Sequence, residues 1–247
     1  MKIVRVLWGD QGLNGILEGD RVFALRGDPF GDFSKGRESV SVTDVRFLLP
    51  TVPTKVVAVG RNYTTYSTSG GIPSTSLKVP TTWAGHDDPV PYPRLSQKVI
   101  MEAELAVVMR RTAKDVAASE ALDYVLGYTA ANDFTARDIM QEDGRPCRGK
   151  NFDAFCPIGP AIETELDPFC LRIVGRVNGE QKQEGSTKDM IATVPDVISM
   201  YSQVMTLFPG DVILTASPSP PPYVQIGDVT EVEIEGIGVL RNRVVAP

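Results

Sequence analysis

Residues 99–109 read VIMEAELAVVM, an apolar segment that is interrupted by two glutamates, Glu102 and Glu104. The apolar side chains on both sides of the pair predict a buried β-strand. Because side chains alternate between the two faces of a strand, both carboxylates are expected on one face. Two buried like charges cannot both stay ionised without a positive partner. The segment therefore predicts a charged site inside a β-rich fold, with a wet edge strand as the alternative.

Short apolar segments separated by turn residues lie on both sides of this strand and predict further strands. The clearest are residues 2–7, 21–25, 55–59, 128–132, 171–177, 212–215 and 230–235. Asn178-Gly179 predicts a type I′ turn in a hairpin. Helical spacing of apolar residues is found at residues 119–127 and 195–206. The predicted fold class is mainly β, of the α+β kind, with a few short helices.

The chain has 247 residues, enough to bury a sizeable core. Pro50 ends a first strand-rich stretch, which predicts a small N-terminal β domain at residues 1–50 and a larger domain at residues 51–247. Residues 62–82 are rich in Ser, Thr, Gly and Pro and predict a long loop of the kind that covers binding sites.

Composition and net charge limit the classes of binding partner and the cellular location that are expected. The net charge of −6 disfavours nucleic acid and membrane as partners, although a locally basic pocket can still take an anionic substrate. The chain has no apolar run of about 18 residues and no signal-peptide pattern, so a cytoplasmic protein is expected. It has one histidine, His86, which excludes sites that need two imidazoles. His86 lies among Gly, Asp and Pro and is expected in a solvated loop.

Two further residues are candidates for chemistry. Asp133 offers another oxygen ligand beside Glu102 and Glu104, with a helix N-cap as the alternative role. An all-carboxylate site suits Mg²⁺, Mn²⁺ or Ca²⁺ rather than zinc or copper. Lys150 precedes a stretch that is expected to be buried, and a lysine there can neutralise a substrate carboxylate or an oxyanion. A basic surface turn is the alternative for Lys150.

Six segments between about residues 55 and 243 carry a resemblance when they are taken together. They are GRNY at 60–63, EAEL at 102–105, GYTAANDFTARD at 127–138, RGKNFD at 148–153, MTLFPGD at 205–211 and EIEGIG at 233–238. In order and spacing the chain resembles the fumarylacetoacetate hydrolase family of metal-dependent C–C bond hydrolases, isomerases and decarboxylases.

The resemblance implies a core that is a mixed β-sandwich or β-roll, and a homodimer. It implies Mg²⁺ or Mn²⁺, with Ca²⁺ as an alternative, held by Glu102, Glu104 and Asp133. Such a metal binds a 2-oxo acid or diketo acid and stabilises the enolate that forms from it. Lys150 matches the lysine that lies near the enolate oxygen. Lys78 matches another common lysine, whose role is expected to be structural.

This sequence departs from the family pattern in the segment that forms the lid. Many members have a histidine and a glutamate that activate water, and the two positions are Tyr66 and Ser69 here. Tyrosine has an ordinary pKa near 10, so it is a poor base at neutral pH. Tyr66 is expected instead to donate a proton to the enolate.

The residues expected to bind substrate are Arg61, Arg145 and Ser217. Arg145 adds a positive charge where many members have an amide, which predicts a small anionic substrate with an additional carboxylate. Ser217 keeps the hydroxyl of the family's Thr-Gly-Thr-Pro turn, whereas Ala216 replaces its glycine.

The sequence supports two classes of function. The first is a metal-dependent enzyme that acts on a 2-oxo acid or β-diketo acid through an enolate, by C–C hydrolysis, decarboxylation or keto–enol isomerisation. The last two reactions are favoured because the usual water activator is missing. The second is an inactive family member that binds a metal and a small carboxylate, or that scaffolds a partner.

Overall fold

The computed structural model describes residues 1–65 and 73–247, and most of its regular elements are β-strands. Strands β1 to β10 are Lys2–Trp8, Gln11–Glu18, Arg21–Gly27, Phe33–Ser41, Arg46–Phe47, Val56–Gly60, Ser74–Lys78, Trp83–Ala84, Pro89–Pro91 and Val99–Ile100. Strands β11 to β20 are Ala103–Met109, Val125–Asn132, Thr135–Ala136, Cys156–Glu163, Arg172–Val177, Glu180–Ser186, Val212–Leu214, Tyr223–Val224, Val229–Ile234 and Gly238–Val245. The prediction of a mainly β fold is confirmed.

The largest sheet of the described residues has the order β4-β3-β2-β1-β14-β12-β11-β17-β6-β7, with β5 beside β1 and β8 beside β14. The antiparallel pairing of β1 with β14 makes the N-terminal strands continuous with the rest of this sheet. The division of the chain at residue 50 stays a prediction.

A second sheet has the order β16-β15-β19-β20-β9 and packs on β11, β12 and β14. Strand β11 is buried on both faces. Leu105 and Val107 belong to the core between the two sheets, whereas Ala106 and Val108 belong to a second apolar cluster behind the large sheet. This double burial explains why the strand is apolar at nearly every position.

The predicted strand at 99–109 is divided into β10 and β11, with Met101 and Glu102 between them. Glu102 therefore lies at the point where the chain passes from a three-stranded sheet, β13-β10-β18, into the large sheet. The predicted hairpin is confirmed: Asn178 and Gly179 have φ angles of 54° and 78° and connect β15 to β16.

The three α-helices of the described residues are short: α1 at Arg137–Asp143, α2 at Pro146–Gly149 and α3 at Val194–Val204. Helix α3 confirms the helix expected at 195–206 and begins with a capping box between Thr193 and Asp196. The helix expected at 119–127 is a 3₁₀ helix, Ala118–Tyr124, that ends where β12 begins. In the described part of the chain, no helix is long and apolar enough to cross a membrane.

Candidate active site

Two neighbouring strands bring three carboxylates together. Antiparallel pairing places Ala103 of β11 opposite Asn132 of β12. Glu102 and Glu104 are the two neighbours of Ala103 along the chain, and Asp133 is the residue after Asn132. The backbone N–H of Asp133 donates to the carbonyl of Glu102 over 3.0 Å. Glu104 and Asp133 are buried, with 2% and 1% of their surface exposed. The register of one strand pair thus assembles the predicted trio.

Two lysines neutralise these carboxylates. Lys78 Nζ lies 2.6 Å from Asp133 Oδ1, and Lys150 Nζ lies 2.6 Å from Glu102 Oε2 and also contacts Asp133 Oδ2. Lys150 is the C-cap residue of α2, and its side chain is 12% exposed. The basic surface turn that was the alternative for Lys150 is therefore wrong. The ammonium group of Lys150 lies between two strands and holds their carboxylates together.

The buried carboxylates and Lys150 shift one another's pKa values. Burial raises the pKa of Glu104 well above its usual range, and the charges of Asp133 and Glu102 raise it further. Burial acts the same way on Asp133, but Lys150 and Lys78 outweigh it and lower its pKa. Burial lowers the pKa of Lys150, yet the surrounding carboxylates raise it overall. Lys150 is therefore a stable cation, whereas burial favours the neutral form of Glu104.

A turn after β17 closes one side of the site. The backbone N–H of Ala216 donates to Glu104 Oε2 over 2.9 Å, and Ser217 Oγ lies 3.5 Å from Glu102 Oε1. Ala216 has a φ of 76°, the left-handed region that normally favours glycine. The alanine therefore adopts the conformation expected of the family's glycine at this position.

Residues outside the predicted set also hold the three carboxylates. Thr135 Oγ1 donates to Glu102 Oε2 over 2.8 Å, and Asn132 Oδ1 accepts from the backbone N–H of Glu102. Thr135 follows Asp133 by two residues, a spacing that would have allowed it to be found. The amide of Gln183 also reaches this region, and its distance along the chain gave no such signal.

The remaining predicted residues lie elsewhere or outside the described chain. Arg61 is exposed and has a φ of 59°. Arg145 is exposed as the N-cap residue of α2, and no ion pair among the described residues joins it to the three carboxylates. Tyr66 and Ser69 lie outside the described residues. The roles assigned to Arg61, Arg145 and Tyr66 stay predictions.

The expectation of a solvated His86 is wrong. Its side chain is 18% exposed, and its Nδ1 accepts from the backbone N–H of Arg241. Phe47 packs edge-on against the imidazole. Burial lowers the pKa of His86, and Arg241 lowers it further, against the opposite effect of Asp87. His86 joins the N-terminal strands to β20 rather than facing solvent.

A β-sandwich that buries three carboxylates and two lysines beside a strained turn has the features of a small-molecule site of the enzyme type. The chain belongs to the fumarylacetoacetate hydrolase family, because the model described as "Fumarylacetoacetate (FAA) hydrolase C-terminal" matches residues 55–245. A second model, "Rv2993c-like, N-terminal", matches residues 1–50.

Individual relatives are enzymes. The human mitochondrial oxaloacetate tautomerase FAHD2A is 41% identical over 82% of this chain and 70% of its own length. The structure of 5-carboxymethyl-2-hydroxymuconate delta-isomerase from Mycobacterium smegmatis superposes with a TM-score of 0.96 at 37% identity, covering all of both chains. Maleylpyruvate hydrolase from Sphingobium sp. SYK-6, in complex with manganese(II) and pyruvate, has a TM-score of 0.84 at 27% identity over 100% of this chain and 99% of its own.

Proposed function

We propose that the protein is a divalent-metal-dependent enzyme that interconverts the keto and enol forms of a small 2-oxo dicarboxylic acid such as oxaloacetate. The observation that carries the proposal is the position of Lys150, whose protonated amine is buried among three carboxylates. The tautomerase and isomerase relatives support this reaction.

Metal binding is part of the proposal. Among the described residues, no group of three or more His, Cys, Asp or Glu side chains is arranged to hold a metal ion. The donor set nevertheless fits a hard cation, because Glu102, Glu104 and Asp133 supply only carboxylate oxygens. Mg²⁺ or Mn²⁺, with Ca²⁺ as an alternative, would be held by these three residues.

When bound, the cation supplies Lewis-acid stabilisation to the negative charge that develops on the substrate oxygen. Lys150 then has to leave at least one of its two carboxylate partners, which frees its N–H groups to donate to the substrate. A protonated lysine stabilises an enolate oxygen and does not remove a proton. Lys150 therefore binds the developing charge in this proposal.

The reaction needs no second reactant. In the ketonisation direction the O–H bond on the C2 oxygen of the enol breaks, a C–H bond forms at C3, and the proton count is unchanged. His86 is paired with the backbone of Arg241, so the imidazole is not the group that carries this proton. Tyr66 stays the predicted proton donor. Arg61, Arg145 and Ser217 stay the predicted contacts of the substrate carboxylates.

Three further expectations, on the division of the chain, the oligomeric state and the location, are also proposals. We propose that residues 1–50 form a small N-terminal β domain and residues 51–247 the larger domain. We also propose that the protein is a homodimer and that it is cytoplasmic. An inactive member that only binds a metal and a small carboxylate is the second candidate, which the altered lid positions favour.

The proposal is tested by following the ultraviolet absorbance of enol-oxaloacetate with Mn²⁺ or Mg²⁺, against a reaction without protein. We expect faster ketonisation that is lost on chelation of the metal. Lys150→Met should lower kcat/KM by about 10²–10³-fold, the usual loss for one oxyanion donor. Lys182→Met is the matched control, because that lysine is exposed and, among the described residues, pairs only with Glu180.

Parallel assays of CO₂ release and of acylpyruvate cleavage separate the related reactions. Faster acylpyruvate cleavage than ketonisation would make the protein a hydrolase. No acceleration of any of the three reactions would support the inactive binding protein instead.

A further inference from the structure

Gln183 of β16 is a buried polar side chain outside the carboxylate and lysine cluster. Only 2% of its surface is exposed, whereas glutamine is usually a surface residue. A buried amide costs free energy unless its oxygen and nitrogen both find hydrogen-bond partners. The partners of Gln183 therefore indicate why it is buried.

The two ends of the Gln183 amide bind two different walls of the site. Its Oε1 accepts from the backbone N–H of Ala103 over 2.9 Å. Its Nε2 donates to the backbone carbonyl of Pro218 over 2.5 Å. Ala103 is the residue between Glu102 and Glu104, and Pro218 follows Ser217. One side chain from the second sheet therefore joins the carboxylate strand to the turn that faces it.

Two glycines leave the space that this bridge needs. A Cβ atom on Gly175 would lie 3.0 Å from Gln183 Oε1 and 3.1 Å from Gln183 Cβ. A Cβ atom on Gly185 would lie 2.5 Å from Pro218 Cβ, which real structures do not show. The second sheet thus admits the amide beside one glycine and the proline beside the other.

From this geometry we infer that Gln183 is a positioning residue, which sets the distance between the Glu102–Glu104 strand and the Ala216–Pro218 turn. The inference rests on the proposed function in one respect, namely that the turn contacts the bound oxo acid. Gln183 does not touch the substrate in this scheme. It acts through Ala103 on the carboxylates and through Pro218 on the turn.

The whole bridge and its Pro218 arm alone can be disturbed by different variants. Gln183→Met has a similar volume and removes both hydrogen bonds. Gly185→Ala pushes on Pro218 and leaves the bond to Ala103 in place. Gln181→Met is the control, since Gln181 lies two residues away on the same strand and is exposed. Within the described part of the chain, its side chain bonds only to Arg172 and Glu184.

Binding is measured without turnover, by calorimetric titration of Mn²⁺ and then of oxalate, a planar dianion that resembles an enolate, into the manganese-loaded protein. We expect Gln183→Met to weaken oxalate binding about tenfold, the effect of one net hydrogen bond, and to weaken Mn²⁺ binding severalfold. Gly185→Ala should weaken oxalate binding and leave the Mn²⁺ affinity unchanged. In turnover, both variants should raise KM more than they lower kcat.

The outcomes separate this inference from the proposed reaction. If folded Gln183→Met and Gly185→Ala both bind oxalate as the wild type does, Gln183 is not a positioning residue. If Gln183→Met does not fold, Gly185→Ala alone decides the question by the same measure. If oxalate binding weakens as expected but the wild type does not accelerate ketonisation, the inference stands and the reaction is wrong. A wild type that binds neither Mn²⁺ nor oxalate overturns both.

Discussion

Asp133 and Asp211 are both fully buried aspartates with a lysine beside them, yet they are held in opposite ways. Asp211 accepts from the backbone N–H groups of Thr54, Lys55 and Phe208, at 2.9, 3.1 and 2.7 Å. The hydroxyl of Thr54 and the ammonium group of Lys55 donate to it as well. Asp133 receives its charge neutralisation from the side chains of Lys78 and Lys150.

The difference separates a structural carboxylate from one that can change partners. Backbone N–H groups cannot leave Asp211 without unfolding the loop around it. An ammonium group on a flexible side chain can leave Asp133 by changing rotamers. A buried carboxylate that is held by lysines therefore keeps the option of binding a ligand, whereas one that is held by backbone amides does not.

The largest expected effect is on stability. Asp211→Asn should lower the free energy of unfolding by about 3–5 kcal/mol, because it leaves buried donors without an anionic acceptor. Asp133→Asn should cost less, about 1–3 kcal/mol, because Lys78 and Lys150 keep an amide oxygen as acceptor. Loss of the Asp133 charge lets Glu104 ionise in its place, since Asp133 is one cause of the raised Glu104 pKa. Urea denaturation measures both values, and equal losses would mean that the two aspartates are held alike.

The second expected effect is on stabilisation by manganese, for which Asp133 matters more than Asp211. Mn²⁺ at a hundredfold excess over its dissociation constant should stabilise the folded protein by about 2.7 kcal/mol, because it binds the folded state. Asp133→Asn should abolish the increase in melting temperature, and Asp211→Asn should keep it from a lower starting value. The comparison fails if the Asp211 variant loses the manganese effect while the Asp133 variant retains it.

A third, smaller effect concerns the backbone N–H of Ala216, which gives Glu104 a contact of the Asp211 type. The left-handed φ of an alanine costs about 1–2 kcal/mol, and glycine loses about 0.5–1 kcal/mol more chain entropy on folding. Ala216→Gly should therefore stabilise the protein by roughly 0.5–1 kcal/mol. Thermal unfolding with and without Mn²⁺ measures this, and a destabilised variant would show that the alanine is not strained.

The smallest expected effect is on the pH dependence of folding stability. It concerns a third polar cluster, which consists of His86, Asp87 and Arg241. Because the folded pKa of His86 is lowered, the unfolded chain takes up the proton more readily. Stability should be full above the usual value near pH 6.5 and should fall as the pH falls through the folded pKa. His86→Asn keeps an acceptor for the Arg241 N–H and cannot be protonated.

Unfolding of the wild type and of His86→Asn is therefore compared between about pH 8 and pH 5. The variant should lose less stability than the wild type over this range. Identical pH profiles would show that His86 does not contribute to acid sensitivity.

The parts of the site that lie close together along the chain could be predicted from the sequence. Glu102 and Glu104 follow from the two-residue period of a strand, and the family motifs carry Asp133 and Lys150. The structure brings these four residues together. A motif cannot distinguish the type of contact: Asp211 belongs to one of the same motifs and is a structural residue.

Long-range partners could not be predicted. Lys78 and Asp133 are 55 residues apart, and the bond between Gln183 and Ala103 spans 80 residues. Side-chain pairs of this kind depend on how two sheets pack, which no local pattern encodes. His86 was misjudged for the same reason, because Phe47 and Arg241 come from distant strands.

The pairing of β1 with β14 also has a consequence for synthesis of the protein. Lys2 lies opposite Glu163, so strand β1 has to wait for a partner that is made about 160 residues later. At translation rates of about 5–20 residues per second, that wait is roughly 8–30 s. During this time the nascent β1–β4 meander carries an unpaired edge outside the ribosome. A chaperone that binds exposed strand edges should therefore engage residues 1–50 until β14 has been made.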